Sequence, residues 1–121
     1  MPTNPKPSID YIEMPSSDFK LTRSFFENVF EWRFQTFGED YLAFFQNTPG
    51  VTGGFYHCDR ITSPSVGAPL IVFYSKTLEA TCDHIRKAGA EITQSIFPFP
   101  GGRRFHFCAP ASVEMGVWSD L

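Results

Sequence analysis

The amino-acid sequence predicts an α+β fold made of two βαβββ modules. Three observations point there: a strand-like run followed at once by a helical apolar stripe, three β-like runs after that stripe, and a restart of the same order about 59 residues further along. Residues 1–8, MPTNPKPS, are proline-rich with little apolar surface and read as a tail. IDYIEMP (9–15) puts Ile12 and Met14 on one face and Tyr11 and Glu13 on the other, the alternation of a half-buried strand. Ser16, Ser17 and Asp18 offer N-caps, and Leu21, Phe25, Phe26, Val29 and Phe30 then form an apolar stripe, so a helix is expected near 17–30. WRFQTF (32–37), YLAFFQ (41–46) and VTGGFYH (51–57) follow as β-runs, separated by Gly38-Glu39-Asp40 and Asn47-Thr48-Pro49-Gly50, which are turn chemistry.

Residues 58–68, CDRITSPSVGA, read as a linker, after which the order restarts. PLIVFYS (69–75) is expected as a buried strand. Thr77 caps a helix near 76–88 with Leu78, Cys82 and Ile85 inward, closed by Gly89 where a left-handed residue is wanted. AEITQSIF (90–97), GGRRFHFC (101–108) and VEMGVWS (113–119) supply the last three β-runs. Aligning Asp18 with Thr77 matches Phe19 to Leu78 and Phe26 to Ile85, the mark of an internal duplication.

Composition narrows the function. A chain of 121 residues, 42% apolar and 19% charged, fits one globular domain over 9–121, with modules at about 9–57 and 69–120. A net charge of −3 is a poor match to a phosphate backbone, so nucleic acid is not an expected partner. No stretch reaches the roughly 20 consecutive apolar residues of a membrane span. Cys58, Cys82 and Cys108 are odd in number and widely spaced, without a CxxC pair or an N-terminal apolar run, so a reduced, cytoplasmic setting is expected. Fourteen Phe residues exceed the needs of one compact core, which points to an aromatic-lined pocket or a homodimer interface.

The start YIEMPSSD with SFFENVFEW and the close FPGGRRFHFCAPASVEMGVW resemble the vicinal oxygen chelate superfamily, the glyoxalase, bleomycin-resistance and dioxygenase proteins. The resemblance covers residues 9–120 and implies a curved, mostly antiparallel sheet around a cleft. The last hairpin departs from it: Ala109-Pro110-Ala111-Ser112-Val113 stands where the family usually has Asp-Pro-Asp-Gly-Asn. In metal-using relatives, strands 1, 4, 5 and 8 each give one ligand. By the family's spacing these positions fall on Tyr11, in or near Gly53-Gly54, on Leu70 and on Gly116. Leu70 and Gly116 have no donor side chain, so no family metal and no other cofactor is expected. His57, His84 and His106 lack the spacing to replace them.

Strand parity and the resemblance together assign Tyr11, Glu13, Tyr74, Arg104, His106 and Trp118 to the cleft face as ligand-binding candidates, with no catalytic residue assigned. Glu13 pairing with Arg104 as a buried salt bridge, and His106 as a packing residue, stand beside that reading. Arg103, of opposite parity, is expected at the surface. The favoured function is metal-free binding of a small organic molecule. The alternative is a lyase, isomerase or thiol-transferase type enzyme of the same superfamily, with Glu13 or His106 as general base or with a metal recruited through Glu13 and His57, and a third is a non-catalytic dimeric module. The Gly-Gly pairs carry no phosphate-loop motif and the cysteines no activating neighbour.

Overall fold

The computed structural model describes residues 7–47, 49–60 and 63–121. The chain runs β1 (Tyr11–Ser16), α1 (Phe19–Phe30), β2 (Arg33–Phe37), β3 (Tyr41–Phe45) and β4 (Thr52–His57), then β5 (Ile71–Tyr74), α2 (Leu78–Lys87), β6 (Glu91–Phe99), β7 (Gly102–Cys108) and β8 (Glu114–Ser119). Each module is an open four-stranded mixed sheet, in the orders β1-β4-β3-β2 and β5-β8-β7-β6. In both, the first strand pairs parallel to the last and the other neighbours are antiparallel. The linker contains a single turn of 3-10 helix at Pro64–Val66, and its residues 61 and 62, like Thr48 and the first six residues of the tail, lie outside the described residues.

The duplication is visible in hydrogen bonds as well as in element order. The Ser16 and Thr22 hydroxyls bond each other at 2.7 Å, and the Asp18 N–H donates to Ser16 Oγ at 3.2 Å. At an offset of 59 residues the Ser75 and Thr81 hydroxyls bond at 2.7 Å, and the Thr77 N–H donates to Ser75 Oγ at 3.1 Å. Both strand-to-helix junctions are therefore tied by the same serine and threonine. The caps themselves differ: the Asp18 carboxylate accepts from the Lys20 and Leu21 N–H groups, whereas Thr77 makes no side-chain cap bond.

Helix α1 is the centre of packing. Phe25 and Phe26 are buried, with Val29 and Phe30 half-buried, but Leu21 is 55% exposed and Thr22 takes the inward position instead. A helical step of about 100° separates the two, and the stripe is centred on 22, 25, 26 and 29. Buried Thr22 keeps its hydroxyl satisfied by Ser16 and by the Pro110 carbonyl at 3.0 Å. Phe26 stacks on Trp32 at 4.5 Å between ring centroids and Trp32 on Phe44 at 4.1 Å, all within the first module. Phe30 stacks on Phe73 at 4.1 Å and Phe25 meets Phe107 at 5.8 Å, which carries the same core into the second module. Helix α2 adds Leu78, Cys82 and Ile85, as the spacing predicts.

The unusual final hairpin is explained by where it sits. The Ser17 N–H donates to the Ala111 carbonyl at 2.8 Å, and Ser112 Oγ donates to the Pro15 carbonyl at 2.7 Å. The turn is thus docked on the β1–α1 junction, with Ala109 and Ser112 buried, and a carboxylate at 109 would need a buried partner. Strand β5 corrects the expectation of a buried run: Val72 and Tyr74 are exposed, because β5 is an edge strand whose face away from α1 is uncovered.

Two predictions follow from helix α1. Phe26→Ala removes a fully buried ring from the middle of the stack and should cost about 3–5 kcal/mol in chemical denaturation. Glu31 ends the helix in the left-handed region at φ 57°. Glu31→Gly relieves that strain and should raise stability by up to about 1 kcal/mol; a lowered denaturation midpoint would contradict it.

Candidate functional site

The six candidate residues all lie on sheet faces turned away from the helices, and they form two groups rather than one. In the first module, Tyr41 Oη donates to Glu13 Oε2 at 2.9 Å and is itself hydrogen-bonded to the Tyr11 hydroxyl. Burial, then the bonds to Tyr11 and Glu13, hold the Tyr41 phenol well above its ordinary range, so it stays a neutral donor. Tyr41 was not among the candidates. Its signal in the sequence was only parity on β3, and the contact with β1 depends on the register of the strand between them.

That strand carries Gly53 and Gly54, which face opposite sides. A Cβ at Gly54 would strike the Tyr41 hydroxyl, and one at Gly53 would strike the Ile12 carbonyl and the Phe44 ring. The glycines bring Tyr41 across β4 to Glu13, and they form no phosphate loop. Tyr11 and Glu13 border a cavity of about 510 Å³ with Tyr56, Pro69, Ile71 and Val113.

The second group lies on β5, β7 and β8. Arg104 is cross-strand from Trp118, and His106 is cross-strand from Gly116. The Arg104 guanidinium sits 5.2 Å from the ring centroids of both Phe97 and Phe99, on β6. Trp118 packs edge-on against Phe99 at 6.1 Å and against Tyr74 at 5.1 Å, and the Tyr74 hydroxyl donates to Asp120. That bond raises the Tyr74 phenol above its usual range. Val72, Phe99, Gly101, Arg104 and Trp118 border a cavity of about 220 Å³.

His106 is only 4% exposed. Its Nδ1 lies 3.3 Å from Glu114 Oε2, so Nδ1–H donates to that carboxylate. A Cβ at Gly116 would be 3.4 Å from His106 Cδ2, so the glycine provides the space in which the ring lies. Two buried polar atoms in this group have no partner among the described residues, Arg104 Nε and His106 Nε2. Such atoms are rare in folded proteins because each has given up water for nothing. Glu114 is a site residue that the sequence reading lacks: its parity, that of Gly116 and Trp118, is the signal for it, but only the diagonal cross-strand reach brings it to His106.

Arg104 makes no ion pair among the described residues, and Glu13 is engaged by Tyr41 instead. Arg103 sits at the surface, paired with Glu79 and donating to the Leu121 carbonyl at 3.1 Å. His84 bonds Asn28 between the helices, and His57 is exposed beside Asp59. Burial pushes the Cys82 and Cys108 thiols up, with Glu91 and Glu114 adding to the effect on Cys108, so neither is an activated nucleophile.

The positions that the family would use for a metal do not fit one. Tyr11 offers a phenol already bonded to Tyr41, the Gly53-Gly54 pair and Gly116 offer no side chain, and Leu70 offers a methyl group. A carboxylate or imidazole at 54 would collide with Tyr41. No group of three or more His, Cys, Asp or Glu side chains converges among the described residues.

The glycine pair supplies a test of this geometry. Gly53→Ala meets backbone and should cost about 3 kcal/mol or more, whereas Gly54→Ala meets the far end of a tyrosine and should cost clearly less. Equal losses in urea denaturation would show that β4 does not approach β1 as described.

The family model of the Glyoxalase/Bleomycin resistance protein/Dioxygenase superfamily matches residues 8–114. Among curated proteins none matches this chain. Solved structures with the same fold include a glyoxalase/bleomycin resistance protein/dioxygenase family enzyme from Burkholderia phytofirmans PsJN, at TM-score 0.75 and 12% identity over 95% of this chain and 100% of that one. A genomically encoded fosfomycin resistance protein from Listeria monocytogenes aligns at TM-score 0.76 and 17% identity, over 94% and 93% of the two chains. Lactoylglutathione lyase from Agrobacterium tumefaciens aligns at TM-score 0.70 and 13% identity, over 96% of each. At these identities structural similarity establishes the fold, and the family match over most of the chain establishes the rest: the protein belongs to the Glyoxalase/Bleomycin resistance protein/Dioxygenase superfamily.

Proposed function

We propose that this protein binds a small organic anion with a flat apolar body on the β7–β8 face of its second module, without the family metal. The observation that carries this reading is buried Arg104 Nε, without a partner among the described residues, on a side chain that borders a cavity with Phe99, Trp118 and Val72; His106 Nε2, likewise unpartnered, lies two residues along the same face of β7. Aromatic walls with a few convergent polar groups are what a ligand pocket needs. A carboxylate or phosphate would satisfy Nε and one neighbouring guanidinium nitrogen in a two-pronged bond. Tyr74 borders the same face, while Tyr11 and Glu13 belong to a separate polar cluster that borders a different cavity.

The Glu114–His106 contact favours a second reading, an enzyme of lyase or isomerase type with His106 as general base. Glu13 is the weaker candidate for that role, because Tyr41 already donates to it. Incorporation of solvent deuterium next to the carbonyl of a bound aryl keto acid, lost in His106→Gln, would select this reading over simple binding.

Thermal-shift and calorimetric titration with benzoate and phenylphosphonate test the binding proposal. Arg104→Met should weaken both by at least about tenfold without lowering the melting temperature of the empty protein. Affinities unaffected by Arg104→Met would reject the pocket. Protein purified without chelator should hold well under one equivalent of Zn, Ni, Fe or Mn; stoichiometric metal that disappears with Glu13→Gln would reject the metal-free reading.

Exposed Tyr11, Phe37, Tyr56, Val72 and Tyr74 on the faces away from the helices support a homodimer that covers them. Sedimentation at micromolar concentration should show a dimer, and a monomer there would count against it.

A further inference from the structure

We infer that the ligand is an aryl carboxylate carrying a hydrogen-bond donor, a hydroxyl or amine, at the end of its ring remote from the carboxylate. This rests on the binding site proposed above and follows from the opposite demands of its two unpartnered atoms. Arg104 Nε is a donor in every state and needs an acceptor. His106 is different, because its Nδ1–H is committed to Glu114. In its neutral form the ring presents a lone pair at Nε2, which needs a donor. One ligand satisfying both must accept at one end and donate at the other.

Spacing sets the separation between those ends. Arg104 and His106 are two residues apart on one face of β7, which puts their backbones about 6.6 Å apart. That is close to the span of a benzene ring with a polar substituent at each end. A substituent next to the carboxylate fails on two counts: it is too near, and its proton is spent on its own carboxylate. The rings of Phe97 and Phe99 flank Arg104, and Phe97 also meets His106 edge-on at 5.7 Å. Phe97 thus occupies the place between the two polar groups, and a flat ring is the body that would replace it with least loss of contact.

Phe97 is the wall that must turn aside to expose Nε2. It lies on edge strand β6, whose pairing with β7 breaks register between Ile92 and Gln94 and again between Gln94 and Phe97. Phe97, Pro98 and Phe99 pair in register with Arg104, Arg103 and Gly102, but the ladder breaks on the N-terminal side of Phe97, unlike that of β7 and β8, whose pairing runs without a break from Arg103 to Cys108. Glu114 acts as a positioning residue in this scheme, fixing which ring nitrogen carries the proton.

The test is a ligand series read by calorimetry on the intact protein: benzoate, 2-hydroxybenzoate, 4-hydroxybenzoate, 4-aminobenzoate, 4-methoxybenzoate and terephthalate. The 4-hydroxy and 4-amino compounds should bind about tenfold tighter than benzoate or 4-methoxybenzoate, with the 2-hydroxy isomer no better than benzoate. His106→Leu should erase that preference while benzoate binding persists, and Glu114→Ala should shrink it. The ligand series needs no variant, so the inference stays testable if either substitution prevents folding. Equal affinity for the 4-hydroxy and 4-methoxy compounds, or a preference that survives His106→Leu, overturns the inference and leaves the anion site standing. Tightest binding of terephthalate overturns it too, since Nε2 would then be a donor. Binding of none of these compounds overturns both readings.

Discussion

Everything in this fold hangs on the burial of helix α1 from two sides. Phe26 belongs to the stack of Trp32 and Phe44 in the first module, while Phe25 and Phe30 reach Phe107 and Phe73 in the second. A single helix therefore contributes to the hydrophobic surface of both sheets, and neither module could lose it without exposing rings. The docking of the last hairpin on the β1–α1 junction closes the arrangement through Ser17, Ser112 and Thr22. With the helical sides of both sheets consumed in this way, the opposite faces are the ones left free for chemistry.

The order of elements was legible because each signal was local. Period-two runs, the Phe stripe, Asp18 and Gly89 all act within a few residues, and the observed helices start and stop within two residues of the expected places. Leu21 was misplaced because a five-residue apolar stripe does not reveal its own midline, which is set here by Thr22 finding buried partners. The parity of the candidate site residues was readable as well. Their grouping was not, since it depends on which strand lies beside which. Glu13 finds Tyr41 across Gly54, and His106 finds Glu114 on a diagonal, contacts fixed by register between strands distant in sequence.

The two cleft-side faces also differ in how complete they are. In the first module the polar groups satisfy one another, Tyr11 with Tyr41 and Tyr41 with Glu13. In the second, Glu114 satisfies only half of His106, and Arg104 Nε has aromatic rings about it but no acceptor among the described residues. Each such atom costs about 1–3 kcal/mol, a cost that packing alone gives no reason to bear. That asymmetry is why the second face, and not the first, is read as the place where something is received.

The paired Ser–Thr bonds give this contrast a history. Strand register equates Ala43 with His106, each beside a glycine of the last strand, and Tyr41 with Arg104. The two halves have thus kept the same hydroxyl pair at the strand-to-helix corner and exchanged the side chains that project from the sheet. A repeated fold separates its obligations in this way: the corner must survive in both copies for either to close, whereas recognition needs only one copy to be inventive. The corner is what the two halves of this molecule share, and the mismatch between their faces is what sets one apart from the other.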